Sequence, residues 1–180
     1  MKVISVNRGE KRAIEYKGRT IETGIYKFPV DSIFLGEEDV ENDSVVDRRY
    51  HGGIDQAVYA YGENHYEYWK GLYSDLEWEY GMFGENLTIT NLEETKILVG
   101  EIYKLGETLL EVTKPREPCM KLGIRFGTQK VLKQFWNTTK SGLYFKVLQT
   151  GNVVVNDELI LIKKSENTPS IAEVYAAKRK

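Results

Sequence analysis

The feature that most constrains this 180-residue chain is a succession of short segments rich in valine, isoleucine, threonine and tyrosine, separated by glycine-containing turns. These residue types favour the extended backbone of a β-strand, and their close spacing is typical of antiparallel pairing. The predicted strands are residues 2–7, 12–17, 20–26, 56–60, 86–90, 101–105, 108–114, 143–149 and 157–163. So many short strands predict a β-rich fold, arranged as a barrel or a curled sheet.

Helices are predicted as inserts among these strands. Residues 63–73 carry aromatic side chains at spacings of three and four, which is the pattern of an amphipathic helix. Residues 128–136 show an apolar stripe, for which Thr128 is a suitable N-cap. A last helix is predicted to begin at Pro169, with Thr168 as its cap.

The same reading predicts the domain organisation and the cellular location. Because no long linker interrupts the chain, we expect one β-rich domain at residues 1–163, followed by a short C-terminal helical tail at 164–180. No apolar run approaches the roughly 18 residues that cross a bilayer, and the N-terminus lacks the apolar middle of a secretory signal. These absences predict a cytoplasmic protein with no membrane partner.

Cys119, in the segment TKPREPCMKL, is the strongest candidate for chemistry. It follows a predicted strand at the expected start of a short helix, where Pro118 suits the first helical position. Backbone amides at a helix start, together with Arg116 and Lys121, would favour a thiolate, which can attack or bind a soft metal. A buried, inert cysteine is the alternative. The adjacent prolines and charges instead favour a loop that delivers a residue to a pocket.

A second candidate is the segment DRRYHGGIDQAVYAY at residues 47–61. Gly52 and Gly53 permit a close backbone approach, while Arg49 and His51 offer donors for a phosphate or a polar heterocycle. A turn with a surface ion pair would explain the same residues equally well.

Two further features have plainer explanations. The segment GMFGENLTI contains Asn86, whose amide can donate and accept hydrogen bonds, but such a sequence is also typical of a turn that enters a strand. The aromatic residues between positions 59 and 80 could stack on bases, yet acidic neighbours favour core packing. With 25 basic and 27 acidic residues in the chain, we expect no nucleic-acid partner.

In this order, the segments DRRYHGGIDQAVYAY, FGENLTI, VGEIYKLGETLLEVTKPREPCMKL and GLYFKVLQTGNVVVNDEL resemble the MOSC domain, the C-terminal domain of molybdenum cofactor sulfurases. The resemblance is to small standalone bacterial members, covers about residues 1–163, and is most specific at PRxPC. It implies a MOSC-like β-barrel with inserted helices. Longer members continue into a small helical domain, whose beginning the segment IAEVYAAKRK resembles.

The resemblance also implies that the chain binds the pyranopterin molybdenum cofactor. The family cysteine corresponds to Cys119, which would be the molybdenum ligand and the catalytic residue. The residues that would contact the cofactor or substrate are Arg49, His51, Gly52, Gly53, Asn86, Arg116 and Lys121.

More than one activity is compatible with this cofactor. Related reductases remove oxygen from N-hydroxylated compounds such as modified nucleobases, and they receive electrons from a separate flavoprotein or haem protein. The resemblance thus implies an oxidoreductase acting on a small-molecule substrate, independent of pyridoxal phosphate. The alternative is a sulfur carrier or cofactor-delivery module, with a persulfide on Cys119 and a sulfurtransferase as partner. A third, non-catalytic possibility is a β-barrel interaction domain with an inert cysteine.

Overall fold

The computed structural model describes residues 1–46 and 52–179. In these residues the strands are β1 (Val3–Gly9), β2 (Arg12–Tyr16), β3 (Arg19–Thr23), β4 (Lys27–Val30), β5 (Ser32–Leu35), β6 (Val58–Gly62), β7 (Leu87–Ile89), β8 (Ile102–Leu105), β9 (Thr108–Pro115), β10 (Leu143–Gln149), β11 (Gly151–Val154) and β12 (Leu159–Lys163). The helices are α1 (Tyr66–Leu72), α2 (Met120–Arg125), α3 (Lys130–Trp136) and α4 (Ile171–Ala177), with 3₁₀ turns at Ile54–Gln56 and Glu63–His65.

Eight of the strands form one sheet in the order β12-β8-β9-β10-β6-β7-β1-β4, and β2–β3 and β5–β11 form two-stranded sheets. Pairing within the large sheet is antiparallel except between β6 and β7, which run parallel. The predicted β-rich class with inserted helices is therefore confirmed. Closure into a barrel stays a prediction, since the sheet has two end strands and one isolated bridge, Lys2–Glu158, links the chain start to β12.

All nine predicted strands are present, but the sequence reading missed β4, β5 and β11. The segment of β4 contains Pro29, which normally argues against a strand because it cannot donate a ladder hydrogen bond. Here β4 lies at an end of the large sheet, where a proline is tolerated.

Two predicted helix starts are corrected by the local hydrogen bonding. Helix α2 begins at Met120, with Cys119 rather than Pro118 at its boundary. Helix α3 begins at Lys130 after Gln129, although the Thr128 hydroxyl still accepts a hydrogen bond from the Lys130 amide (3.3 Å).

The C-terminal helix α4 begins two residues later than predicted. Ser170, not Thr168, is its N-cap, because Ser170 and Glu173 form a reciprocal capping box. The helix is packed against the rest of the protein, since Ile171 is buried in one apolar cluster and Tyr175 in another.

These two clusters lie on opposite faces of the large sheet. The inner cluster is mainly aliphatic and includes Val58, Leu110 and Phe145. The outer cluster is mainly aromatic, and in it Tyr61 of β6 and Trp69 of α1 are buried together with side chains of α2 and α3. The predicted core role of the aromatic residues is therefore confirmed, except for Tyr68, which is 43% exposed. No helix in the described part of the chain is both long and apolar enough to cross a membrane.

Candidate functional site

A cavity lies on the outer face of the sheet, where Tyr59 of β6 and Tyr144 of β10 meet the start of α2. The predicted site residues that line it are Gly52, Asn86, Arg116, Cys119 and Lys121. The structure thus brings together residues from three segments that are far apart in the sequence.

Of the other three predicted residues, the structure describes only Gly53. Gly53 does not line the cavity; its amide donates to the Glu38 carbonyl (3.1 Å) at the start of a 3₁₀ turn. Arg49 and His51 lie outside the described residues.

Cys119 is placed by the junction between β9 and α2. Its backbone is extended (φ −121°, ψ 166°), and its carbonyl accepts the Leu122 amide (2.9 Å), which starts the helix. The residue is half-buried and lines the cavity rather than belonging to either apolar cluster. This environment differs from that expected of an inert core cysteine.

Arg116 is the buried cation of the site. Its Nη1 donates to the Phe83 carbonyl, and its guanidinium carbon lies 4.9 Å from the centroid of the Tyr59 ring. Burial disfavours the charged form, but the acidic groups of Tyr59, Tyr144 and Cys119 outweigh burial and hold the pKa of Arg116 above its ordinary value. The cavity therefore retains a fixed positive charge.

Two tyrosine rings, tilted by 42° relative to each other, form one wall. The rings of Tyr59 and Tyr144 lie 5.2 Å apart, and the Tyr59 hydroxyl donates to the Ser141 carbonyl (2.9 Å). Burial raises the pKa of both phenols, although Arg116 opposes this effect. Both side chains are therefore neutral at physiological pH.

An ion pair between Lys27 and Asp43 closes the opposite side, and the sequence reading did not identify it. Asp43 also accepts hydrogen bonds from the Gly9 amide (2.8 Å) and from Asn86 Nδ2 (2.9 Å). Nothing in the sequence distinguishes Asp43 from the acidic residues before it. Its role depends on contacts with distant segments.

Asn86 has a mainly architectural role in these contacts. Its Nδ2 donates to Asp43 and to the Asn7 carbonyl (3.3 Å), while its Oδ1 accepts the Tyr59 amide (3.3 Å). Both amide hydrogens are thus committed to protein acceptors. Asn86 lines the cavity but chiefly ties Asp43 to β1 and β6.

A close backbone approach shapes the same wall. At Gly24 a Cβ atom would lie 1.8 Å from the Ser44 carbonyl oxygen, so a side chain there would push away the segment that follows Asp43. The next residues, Val45 and Val46, line the cavity, as does Gly52. The described residues on both sides of positions 47–51 therefore line the cavity.

The buried carboxylate of Glu85 fixes the loop that contacts Arg116. It accepts the amides of Gly81 (2.9 Å) and Phe83 (3.1 Å) and the hydroxyl of Thr88 (3.0 Å). Burial raises its pKa, and the hydrogen bonds it accepts oppose this change. The Phe83 carbonyl is thereby held in place for Arg116.

Among the described residues, the charge of the cavity wall is positive on balance. Lys27 is paired with Asp43, whereas Arg116 and Lys121 form no ion pair with any carboxylate in residues 1–46 and 52–179. Across the same residues, no group of three histidine, cysteine or acidic side chains could hold a metal ion. The wall thus offers one thiol and two cations to an anionic ligand.

Comparison with known proteins reveals several similarities. A model of the MOSC domain matches residues 47–160. The uncharacterised protein YflK of Bacillus subtilis (strain 168) is 37% identical over 170 residues, covering 94% of this chain and 76% of YflK. A reductase from Gibberella moniliformis is 37% identical over 152 residues, covering 82% of this chain and 27% of that protein. The crystal structure of YiiM from Geobacillus stearothermophilus matches with a TM-score of 0.79 and 32% identity, covering 97% of this chain and 81% of YiiM.

Proposed function

Because the chain belongs to the MOSC domain family, we propose that it binds the pyranopterin molybdenum cofactor and reduces N-hydroxylated compounds such as modified nucleobases. The observation that carries this proposal is the shared cavity of Cys119, Arg116 and Lys121. The relative named a reductase supports a redox activity.

The side chains around the cavity fit this cofactor in kind. The sulfur of Cys119 is a soft ligand suited to molybdenum. Arg116 and Lys121 supply the positive charge that a phosphate needs, and Tyr59 and Tyr144 offer flat walls for a ring system. Gly52 allows backbone approach, with a positive φ of 77° that favours glycine.

The proposal extends to residues on the same segment. Val46 and Gly52, which flank residues 47–51, both line the cavity, and this supports Arg49 and His51 as further cofactor or substrate contacts. Gly53 would contribute by setting the turn that follows.

Each lining residue has a defined task in the proposed reaction. When bound, the molybdenum cofactor supplies a centre that takes up and passes on two electrons. Cys119 would hold the metal, Arg116 and Lys121 would neutralise anionic groups, and the neutral tyrosines would limit water access. Reduction of an N–OH group to N–H consumes two electrons and two protons and releases one water molecule. A separate flavoprotein or haem protein in the cytoplasm would supply the electrons.

A turnover assay with the substituted cysteine tests this function. Protein from a cofactor-producing host, with a reduced viologen dye as electron source, should reduce an N-hydroxylated base or an amidoxime. Cys119→Ser should abolish turnover, whereas Ser74→Ala, an exposed substitution outside the cavity, should leave it unchanged. Turnover of Cys119→Ser at the wild-type rate would refute the assignment.

A sulfur carrier is the second candidate function. Cys119 is half-buried and adjoins Met120, which is 42% exposed, so a partner could reach this end of the cavity. Incubation with a cysteine desulfurase and cysteine would then load cyanide-labile sulfur onto the wild type but not onto Cys119→Ala. Failure to load the wild type would eliminate this candidate.

A further inference from the structure

Exposed apolar side chains are concentrated in the last strands of the sequence, β10 to β12, and in the turn before β12. Among the described residues, eleven large apolar side chains are exposed, and six of them fall between positions 148 and 162. These six residues are Leu148, Val154, Val155, Ile160, Leu161 and Ile162. Three of them, Ile160, Leu161 and Ile162, are consecutive on β12, which lies at one end of the large sheet. A run of exposed apolar side chains on an end strand is typical of an interaction surface rather than of singly scattered apolar residues.

The strand register shows which of these side chains face outward. Leu159 pairs with Leu105, and both are buried in the inner cluster. The next residue, Ile160, pairs with Lys104, and both are exposed on the outer face. A register shift after Leu161 then places Lys163 opposite Ile102, on the same outer face as Lys104.

The free edge of β12 is only partly available for strand pairing. The Leu159 amide donates to the Met1 carbonyl (2.9 Å), the Val3 amide donates to the Asp157 carbonyl (2.9 Å), and Lys2 bridges Glu158. The chain start therefore covers the first half of the edge. A partner at β12 would contact mainly the outward side chains from Ile160 onward.

The charges along β12 identify the kind of partner. Glu158 precedes the apolar run, and Lys163 and Lys164 follow it, all three exposed. None of them forms an ion pair with another described residue. A strand that is acidic at one end, apolar in the middle and basic at the other is complementary to an antiparallel copy of itself.

We propose that a second copy of this chain packs on the outer face of β12 about a two-fold axis near Ile160 and Leu161. Glu158 of each copy then lies beside Lys163 of the other, and the isoleucines meet at the axis. Such an interface uses the same patch on both subunits, as two-fold dimers do. The interface is distinct from the cavity and does not depend on the proposed redox function.

The first test is the mass of the protein in solution. Analytical ultracentrifugation of the full chain at micromolar concentration should give a dimer, and Ile160→Glu should give a monomer with an unchanged circular dichroism spectrum. The control Leu72→Glu alters a similarly exposed leucine on α1 and should remain dimeric. A monomeric wild type, or an Ile160→Glu variant that is still dimeric, would overturn the proposal.

A charge exchange tests the orientation of the two copies. Glu158→Lys and Lys163→Glu should each weaken dimerisation roughly tenfold, because each places like charges in contact. The double variant should restore the wild-type dissociation constant. Additive weakening in the double variant would overturn the antiparallel arrangement even if a dimer forms.

Discussion

The two faces of the large sheet differ in the kind of side chain that they bury. On the inner face, β6 contributes Val58 and Ala60 to a mainly aliphatic cluster. On the outer face, the same strand contributes Tyr59 and Tyr61 to an aromatic cluster and to the wall of the cavity. Every residue of β6 is buried, since both of its faces are covered.

This difference separates the residues that hold the fold from those that provide the chemistry. Aliphatic side chains fill the inner space without needing polar partners. The outer face instead contains buried polar groups, and each of these requires a specific partner, as Lys27 requires Asp43 and Glu85 requires the loop amides. We therefore expect inner substitutions to affect stability alone. Cavity substitutions should affect ligand retention, and they should also lower stability where a buried charge loses its partner.

The largest stability effect is expected where an outer-face charge loses its partner. Lys27→Met leaves Asp43 buried without its cation and should lower the free energy of unfolding by about 3–5 kcal/mol. Urea unfolding measures the loss. The double variant Lys27→Met/Asp43→Asn removes both charges, so it should recover part of the lost stability. If its loss in free energy of unfolding equals the sum of the losses in the two single variants, the pairing is contradicted.

Truncating a buried side chain on the inner face should lower the free energy of unfolding somewhat less than Lys27→Met does. Leu110→Ala removes a fully buried side chain and should lower the free energy of unfolding by about 3 kcal/mol. The molybdenum content per folded molecule should not change. The control Leu72→Ala, at an exposed position, should change stability by less than about 0.5 kcal/mol. Selective loss of molybdenum in Leu110→Ala would break the separation between the two faces.

Substitution of Arg116 should affect cofactor retention more than stability. Arg116→Gln removes the buried cation and its hydrogen bond to the Phe83 carbonyl. Cofactor retention after gel filtration should therefore fall roughly tenfold, while the free energy of unfolding should fall by only about 1–2 kcal/mol. Arg19→Gln, an exposed arginine on the β2–β3 hairpin, is the matched control. Retention equal to wild type in Arg116→Gln would remove this residue from the proposed site.

A smaller, pH-dependent effect on the free energy of unfolding is expected from Glu85. Since burial raises its pKa, the folded protein holds this proton more tightly than the unfolded chain does. The resulting stabilisation is complete below the ordinary pKa of 4.5 and is lost as the pH rises through the folded value. As the pH rises from 4.5 toward neutrality, the free energy of unfolding of the wild type should therefore fall relative to that of Glu85→Gln. The control Glu77→Gln, at an exposed position, should show no such trend. A difference in free energy of unfolding between the wild type and Glu85→Gln that does not change with pH would contradict the burial argument.

Much of the fold could be predicted because its signals are local. The strand pattern of segments such as 108–114 depends on neighbouring residues, and so does the amphipathic pattern of α1. By contrast, β5 pairs with β11 more than one hundred positions later, and no local pattern indicates such a partner. The strand β4 was hidden by its proline for a similar reason, because only its place at the sheet end makes Pro29 acceptable.

The site was predictable to the extent that unusual residues stood close together. Cys119 and Arg116 lie three positions apart in a segment that also contains two prolines, and both line the cavity. Lys27 and Asp43 were missed because ordinary residue types acquire their role only through contacts made by the folded chain. Asn86 was identified, yet its bonds to Asp43 and Asn7 could not be read from the sequence.

The measurement that tests the central claim most directly is the molybdenum and pterin content of the protein purified from a cofactor-producing host. Metal analysis and the fluorescence of oxidised pterin should give close to one cofactor per wild-type chain and none in Cys119→Ala, with both proteins folded. Absence of cofactor from the wild type, or equal amounts in the two proteins, would contradict a molybdenum site that depends on Cys119.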